Sequence, residues 1–197
     1  MTDETFIRRY TIPDKQICKD VISWFNSRKD LQEDGIIYTA DNRSSVNKDI
    51  KESTTISLFP TEAWQHECFR PFLDWLWECV NDYILVFPEL NLMNFALVER
   101  FNIQLFEPPT GGFKAFHMER QSIVTSRRLF VFMLYLNDVT DKGGTEFKYY
   151  NHTESAEEGK LLLWPPDFTH THRGVVSPTQ SKYIITGWYS LIPNPEG

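Results

Sequence analysis

Three of the five histidines lie close to other residues that bind metals in proteins. Glu119 follows His117 by two positions, and His170 and His172 have the same spacing. In a β-strand, side chains two residues apart project from one face, so His117 and Glu119 could contact a single ion. Two imidazoles and one carboxylate on one face are the ligand set of non-haem iron(II) enzymes. The spacing favours such a site and leaves His170 and His172 as competing third ligands.

One lysine begins a strongly apolar segment ten positions after His172. Residues 182–188 read K-Y-I-I-T-G-W, so the only charged side chain stands at the start of the segment. A buried ammonium needs an anionic partner, which makes Lys182 a candidate for binding the carboxylate of a ligand. The alternative is that the ammonium reaches solvent from the first residue of a strand.

Two helices are predicted in the first half of the chain. Apolar residues recur at three- and four-residue steps in residues 12–27, and Pro13 is tolerated at the beginning of a helix. Residues 28–53 are polar and predict a mobile surface loop with one short strand at 36–38. A second helix is predicted from about Thr61, with an apolar stripe of Trp64, Cys68, Phe72, Leu76, Cys79, Val80 and Tyr83.

The other segments predict strands. Stretches rich in branched and aromatic residues, bounded by Gly, Pro, Asn and Asp, occur at 54–59, 95–106, 129–136, 161–164 and 183–191. No helical pattern separates the later strands, so antiparallel pairing is expected. The sequence therefore predicts a mainly β fold, a sandwich or barrel with the helices supporting one face.

Charge and hydropathy exclude several classes of protein. The 197 residues include 27 acidic and 20 basic side chains, and the net charge of −7 argues against nucleic acid as a partner. No window approaches about 18 consecutive apolar residues, and the polar amino-terminal segment lacks a secretory signal. We therefore expect a cytoplasmic protein with no membrane partner. Cys18, Cys68 and Cys79 are expected to be buried reduced thiols, the last two on one helix.

Two clusters of charged residues carry separate predictions. Lys114, Arg120, Arg127 and Arg128 form a local excess of positive charge near the candidate ligands. That excess suits an anionic cosubstrate or substrate, or alternatively a solvated rim. His152 and the acidic run E-S-A-E-E at 154–158 predict an exposed hairpin.

Six motifs follow one another in the second half of the chain. They are G-G-F-K-A-F-H-M-E at 111–119, R-R-L-F-V-F-M-L-Y-L-N-D at 127–138, G-G-T-E-F at 143–147, G-K-L-L-L-W-P at 159–165, H-R-G-V-V at 172–176 and K-Y-I-I-T-G-W at 182–188. In order and spacing, this set resembles the iron(II)- and 2-oxoglutarate-dependent dioxygenases of the prolyl 4-hydroxylase type. The resemblance covers about half of the chain.

The resemblance has consequences for the fold. It implies a double-stranded β-helix core, the jelly-roll of cupin-like proteins, buttressed by the N-terminal helices. One dioxygenase domain would then span residues 1–197, with helical support and a substrate loop at 1–94 and the jelly-roll core with its metal site at 95–191.

The resemblance also assigns roles to residues. It implies that His117, Glu119 and His172 bind iron(II), and that Lys182 pairs with the distal carboxylate of 2-oxoglutarate. Tyr135 would donate a hydrogen bond to the same carboxylate. Dioxygen is the implied second oxidising substrate, and ascorbate is a candidate reductant.

Candidate substrate residues follow from the same comparison and from strand spacing. Arg128 matches an arginine near the mouth of the site in prolyl hydroxylases. Gln104 and Phe106 alternate onto one face of a predicted strand and could line the pocket.

The chain departs from the family pattern near the first histidine. Glu119 stands where the family has Asp, and its additional methylene shifts the carboxylate by about one bond length. Lys114 replaces an aromatic residue three positions before His117, which leaves Phe106, Phe113 and Phe116 to form the pocket wall.

Three functions are compatible with these observations. The first is hydroxylation of a peptidyl proline, with 2-oxoglutarate decarboxylated to succinate; the motif set and the polar segment 28–53, which could close over a peptide, favour it. The second is the same chemistry on a free amino acid or other small molecule, favoured by the short chain and by Glu119. The third is a non-catalytic jelly-roll module that binds a metal. The oligomeric state is left open.

Overall fold

The computed structural model describes residues 5–38 and 43–194. The strands are β1 (Arg8–Thr11), β2 (Glu33–Asp34), β3 (Ile37–Tyr38), β4 (Ser44–Ser45), β5 (Lys51–Glu52), β6 (Thr54–Leu58), β7 (Phe95–Ala96), β8 (Phe101–Phe106), β9 (Gly112–Phe113), β10 (Arg128–Tyr135), β11 (Thr145–Phe147), β12 (His152–Glu154), β13 (Lys160–Trp164), β14 (His172–Gly174) and β15 (Lys182–Leu191). The helices are α1 (Gln16–Ser27), α2 (Pro60–Ala63) and α3 (Arg70–Val86), with short 3₁₀ turns at Lys29–Leu31, Pro88–Leu92 and Phe168–His170.

Most strands belong to two antiparallel sheets. The large sheet has the order β1-β13-β10-β15-β8-β6-β2, and β7 pairs with the end of β15. The small sheet has the order β12-β11-β14, and two-stranded ladders join β3 to β4 and β5 to β9. The large sheet includes strands from both predicted parts of the domain, residues 1–94 and residues 95–191. The division into these two parts stays a prediction.

One face of the large sheet packs against the helices. Phe101, Phe132 and Ile185 point to this face and share a core cluster with Phe25 of α1 and Phe72 of α3. All five side chains are fully buried. Burial of large apolar side chains is the main favourable contribution to folding, and this cluster fixes the helices on the sheet.

The opposite face of the large sheet packs against the small sheet. Because side chains alternate along a strand, Val131, Met133 and Tyr135 point away from the helices. They form a second core cluster with Trp164 of β13 and Phe147 of the small sheet. The predicted mainly β fold with supporting helices is confirmed, and this two-sheet arrangement is the one expected of a double-stranded β-helix.

The second helix was predicted as one element, and this is wrong. The structure has α2, then a turn over residues 64–69, then α3. Pro71 lies in the first turn of α3, where its missing N–H costs little, but it could not sustain a continuous helix across this position. Trp64 is consequently exposed in the turn, and Cys68 lies outside the helix that contains Cys79. No helix in the described part of the chain is long and apolar enough to cross a membrane.

Several boundaries in the predicted loops and strands also change. The predicted strand at 95–106 is divided between β7 and β8, and the predicted loop at 28–53 contains the short strands β2 to β5. Residues 39–42 of this predicted loop lie outside the described residues. Strand β5 pairs with β9, with Lys51 opposite Phe113. This pairing brings the end of the loop next to the segment that leads to His117.

The predicted exposed acidic hairpin is partly wrong. Glu154 is on β12, is only 4% exposed and accepts a hydrogen bond of 2.6 Å from Nε of Arg9. His152 contributes a second contact, with Nε2 2.7 Å from the same carboxylate. A buried carboxylate needs such partners, which come from β1 and from the same strand. The acidic run therefore includes a structural ion pair.

Candidate metal centre

His117, Glu119 and His172 converge at one point. Their possible ligand atoms all lie within 4.8 Å of one another, and no other group of three such residues in the described ranges does so. Oε1 of Glu119 is 3.4 Å from Nε2 of His117 and 3.5 Å from Nε2 of His172. Two imidazole nitrogens and one carboxylate oxygen at these separations could hold one divalent transition-metal ion.

Backbone pairing positions the ligands. His117 and His172 form an antiparallel bridge with two N–H to carbonyl bonds of 2.9 Å, so the two imidazoles start from adjacent backbone positions. The N–H of Glu119 donates to the carbonyl of Pro166 at 3.0 Å. His172 begins β14, whereas His117 and Glu119 lie in a bridge and a bend instead of the predicted strand.

The imidazoles are oriented through their other nitrogens. Nδ1 of His117 lies 3.0 Å from the carbonyl oxygen of Ala115, and Nδ1 of His172 lies 2.9 Å from that of His170. A carbonyl can only accept, so both rings carry a proton on Nδ1 and present the lone pair of Nε2 to the cluster. His170 thus contributes its backbone, while its own ring contacts Tyr150 and the carbonyl of Thr5.

The protonation states suit a metal. Burial, together with the adjacent His172, lowers the pKa of His117. Burial alone would raise the pKa of Glu119, but its interactions with His117 and His172 outweigh it and hold this pKa well below its usual value. Neutral imidazole and ionised carboxylate are the forms that bind metals.

Aromatic rings enclose the cluster. The ring of Phe113 stacks on His117 with centroids 3.6 Å apart and an angle of 9°. Trp164 and Phe147 of the second core contact the ring of His172, at 5.2 and 5.7 Å. These walls fix the imidazole rings and limit the access of water.

The second carboxylate oxygen of Glu119 has its own partners. The indole N–H of Trp188 donates to Oε2 at 3.0 Å, and Nη1 of Arg128 lies 3.4 Å from the same atom. Nη1 also donates to the carbonyl of Glu119 at 3.0 Å. With Oε2 held in this way, Oε1 is the oxygen directed at the histidines. The longer Glu side chain therefore presents a single oxygen to the two histidines.

Arg128 is itself fixed by two further contacts. Its guanidinium donates to Oε2 of Glu99 at 2.8 and 2.9 Å and stacks over the ring of Trp188 at 3.6 Å from the centroid. A guanidinium between a carboxylate and an aromatic face is desolvated and rigid. The structure places Arg128 beside Glu119, as a support of that residue; its predicted contact with a substrate stays a prediction.

Lys182 and Tyr135 lie on the neighbouring strands β15 and β10, where Tyr135 is paired with Ile184, two residues after Lys182. Lys182 is 4% exposed. Its Nζ donates to the carbonyl of Gly143 at 2.7 Å and lies 5.1 Å from the ring centroid of Phe106. The hydroxyl of Tyr135 lies 2.6 Å from the hydroxyl of Thr145. Burial lowers the pKa of Lys182 to about 8. No carboxylate of the described residues pairs with this ammonium.

The predicted pocket residues are buried, whereas the predicted positive cluster is largely paired with carboxylates. Gln104 and Phe106 are both buried on β8, and Phe106 contacts Lys182, which places it beside the candidate cosubstrate residues. Most of the predicted positive excess is neutralised locally. Arg120 pairs with Asp167 at 2.6 Å, and Lys114 pairs with Glu52 at 3.2 Å.

Three residues in or near the site, Trp188, Glu99 and Lys51, were not predicted from the sequence. Trp188 lies six positions after Lys182 on one strand, an even spacing that could have placed both on one face. Glu99 and Lys51 gave no signal, because each lies in a polar or irregular segment far from the motifs. Their contacts depend on pairing between distant segments.

The family comparison agrees with the site. Residues 102–190 match the sequence profile of the 2OG-Fe(II) oxygenase superfamily. No curated protein sequence matches the chain.

Several solved structures with similar folds are prolyl hydroxylases. The viral collagen prolyl hydroxylase of Paramecium bursaria Chlorella virus-1, in a 2OG complex, is 14% identical over 98% of this chain and 99% of its own, with a TM-score of 0.66. A prolyl-4-hydroxylase of Pseudomonas putida is 16% identical over 95% and 94%, with a TM-score of 0.68. A prolyl hydroxylase of Trichoplax adhaerens, in complex with a hypoxia inducible factor peptide fragment, is 17% identical over 95% and 84%, with a TM-score of 0.70.

At these identities the structural likeness concerns the fold. The profile match concerns the segment that contains His117, Glu119, His172 and Lys182. Taken together, these findings show that residues 102–190 are similar to the 2OG-Fe(II) oxygenase superfamily and that this segment brings together a ligand set which fits iron(II).

Proposed function

We propose that this protein hydroxylates an unactivated C–H bond of a peptidyl proline while 2-oxoglutarate is decarboxylated to succinate. The observation that carries the proposal is the convergence of His117, Glu119 and His172 on one point. Lys182 adds to it, because this lysine is buried and no carboxylate of the described residues pairs with it. The likeness in fold to prolyl hydroxylases supports proline as the residue that is modified.

The metal would be held by Nε2 of His117, Nε2 of His172 and Oε1 of Glu119. The donor set fits iron(II), because three ligands on one face leave the other positions of an octahedral ion for exogenous ligands. When bound, iron(II) supplies the redox chemistry that couples oxidation of 2-oxoglutarate to hydroxylation. The Nδ1 contacts of both imidazoles fix the tautomer that presents the lone pair of Nε2, and the contacts of Oε2 with Trp188 and Arg128 would keep that oxygen of Glu119 away from the metal.

The cosubstrate would be oriented by Lys182 and Tyr135. The ammonium of Lys182 would receive the distal carboxylate of 2-oxoglutarate, and the hydroxyl of Tyr135 would donate to it. The charges support this role: iron(II) and Glu119 leave one positive charge, which Lys182 raises to two, equal to the two negative charges of 2-oxoglutarate. A neutral sum lowers the cost of burying these groups together.

The remaining site residues would line the substrate pocket. Phe106 and Gln104 are buried on β8, and the aromatic ring of Phe113 covers His117. An apolar wall excludes water from the reacting centre. A peptide is the proposed substrate because the segment 28–53 borders the site through the pairing of β5 with β9.

A cytoplasmic location and a single dioxygenase domain belong to the same proposal. The three cysteines are free thiols, which agrees with a reducing compartment. No nucleic acid is proposed as a partner, because the net charge is −7.

The test is a mass-spectrometric screen of proline-containing peptides. Purified protein is incubated with iron(II), 2-oxoglutarate, ascorbate and a peptide library under air, and products are searched for a gain of one oxygen atom. We expect this gain on proline, together with equimolar succinate. Free amino acids are screened in parallel, because a gain there and none on peptides would identify a small-molecule hydroxylase.

The matched control is Glu119→Ala, which removes the carboxylate ligand. We expect this variant to form neither succinate nor hydroxylated product. If the wild type binds the metal but forms no succinate, like the variant, the protein is a non-catalytic metal-binding module. This result would refute the proposal.

A further inference from the structure

Lys51 is a second buried lysine near the metal centre. It is 7% exposed, lies on β5 and has its ammonium 3.4 Å from the carbonyl oxygen of Ile36. No carboxylate of the described residues forms an ion pair with it. A buried ammonium with one distant carbonyl has unused hydrogen-bonding capacity and uncompensated charge.

The contacts of Lys51 connect it to the metal ligands. Its ammonium lies 5.5 Å from the ring centroid of Phe113, and the same ring stacks on His117. The pairing of β5 with β9 fixes this arrangement, since Lys51 and Phe113 are opposite each other in the ladder. The carboxylate of Glu119 is near enough to act electrostatically on Lys51.

The backbone around Lys51 is built to keep it inside. A Cβ added at Gly35 would lie 3.2 Å from Cε of Lys51 and would collide with the hydroxyl of Ser53. Glycine at position 35 therefore allows the lysine stem to pack against the neighbouring segment. The next lysine in this region, Lys114, has a different environment, since it is paired with Glu52.

The charge of the loaded site would be unbalanced by Lys51. Iron(II), Glu119, 2-oxoglutarate and Lys182 together are neutral, and Arg128 is compensated by Glu99. Lys51 then adds one positive charge that no described residue cancels. One further anionic group near the metal would restore neutrality and satisfy the free N–H groups.

We propose that Lys51 binds a carboxylate of the substrate, so that the enzyme selects proline substrates that bear a negative charge next to the target ring. This inference rests on the proposed prolyl hydroxylation and specifies its substrate class. The carboxylate could come from an acidic side chain beside proline in a peptide or from the α-carboxylate of a free amino acid.

Binding to the loaded but inactive protein tests the proposal. The full chain, loaded with Mn(II) and 2-oxoglutarate, is titrated by calorimetry with two matched pairs of probes. One pair is a proline peptide with Glu or Gln adjacent to proline, and the other is L-proline and L-prolinamide. We expect the acidic probe of one pair to bind about 10- to 100-fold more tightly, as for a charge-assisted hydrogen bond. The pair that shows the difference identifies the source of the carboxylate.

Three variants define the role of Lys51. Lys51→Met should abolish the preference, Lys51→Arg should retain most of it, and Lys114→Met, in the same region but paired with Glu52, should leave it unchanged. The affinity for 2-oxoglutarate should be the same in all of them.

Equal affinity of wild type for both members of each pair overturns the proposal, and this comparison needs no variant. A preference that persists in Lys51→Met, or a loss of 2-oxoglutarate affinity in that variant, also overturns it. The proposed function is judged separately, by whether the iron-loaded enzyme adds oxygen to either member of a pair.

Discussion

Replacing Trp188 with Phe should weaken metal binding without removing a metal ligand. The indole N–H donates to Oε2 of Glu119 at 3.0 Å, and this bond directs Oε1 at His117 and His172. Phe keeps an aromatic face for the guanidinium of Arg128, which lies 3.6 Å from the ring centroid. The substitution therefore removes one donor and leaves the packing largely intact.

The size of the effect follows from the type of bond. A hydrogen bond to a charged group contributes about 1.5–3 kcal/mol, and about 1.4 kcal/mol corresponds to a tenfold change in affinity. The contact of Arg128 with Oε2, at 3.4 Å, is longer and only partly replaces it. We therefore expect Mn(II) to bind about 10- to 100-fold more weakly to Trp188→Phe, the usual range for a group that orients a metal ligand.

The assay is calorimetric titration of the metal-free protein with Mn(II), with circular dichroism to verify the fold. Trp77→Phe is the matched control, because Trp77 is 49% exposed on α3 and should leave the affinity unchanged. A double-mutant cycle with Glu119→Asp sharpens the test. The shorter Asp withdraws its carboxylate from the indole, so adding Trp188→Phe to Glu119→Asp should cost little.

Wild-type Mn(II) affinity in a folded Trp188→Phe protein would refute the reasoning. Strict additivity in the double-mutant cycle would do the same, because it would show that Trp188 acts independently of the side chain at position 119.

Other predictions concern the buried charges. Lys182→Met should raise the 2-oxoglutarate concentration needed for half-maximal succinate formation at least tenfold, because a charge-assisted bond is lost. Its Mn(II) affinity should stay at the wild-type value, as should the kinetics of the control Lys19→Met at an exposed position. Equal kinetics of Lys182→Met and wild type would contradict the role of Lys182. Burial lowers the pKa of Lys182 to about 8 from 10.5, so the unfolded chain binds more protons between these values and the ligand-free protein should gain up to about 3 kcal/mol of stability over that window. Urea unfolding at pH 7.5 and pH 10 should show this gain in wild type relative to Lys182→Met, and parallel curves would exclude it. Glu154→Gln should destabilise the fold by about 2 kcal/mol in the same urea assay, because it breaks the buried pair with Arg9. Glu157→Gln, at an exposed position, should cost less than about 0.5 kcal/mol. A similar loss of stability in both variants would show that burial of Glu154 contributes nothing.

The sequence predicted the elements whose signals are local. Apolar periodicity predicted α1 and the main strands because the large sheet and the helices bury alternate or helical faces. The pattern could not reveal the break between α2 and α3, since Trp64 and Cys68 have the same spacing as true core residues. Pro71 was the local signal that a continuous helix ends there.

The candidate ligands were accessible from the sequence for a related reason. His117 and Glu119 are two residues apart, and the ordered motifs around His172 and Lys182 resemble those of a known family. The identity of these residues follows from chemistry that few side chains can perform. The structure brings them together, with distances of 3.4 and 3.5 Å from Oε1 of Glu119 to the two imidazole nitrogens.

Only the tertiary structure decided how the site is supported and charged. Trp188 and Arg128 fix Glu119 through contacts that join different strands, and Lys51 enters the site through the pairing of β5 with β9. Glu154, which its acidic neighbours made look exposed, is buried against Arg9 from the other end of the chain. Composition and spacing act over a few residues, whereas burial and ion pairing depend on which distant segments become neighbours. The sequence by itself therefore determined the fold class and the candidate ligands, and folding determined their environment.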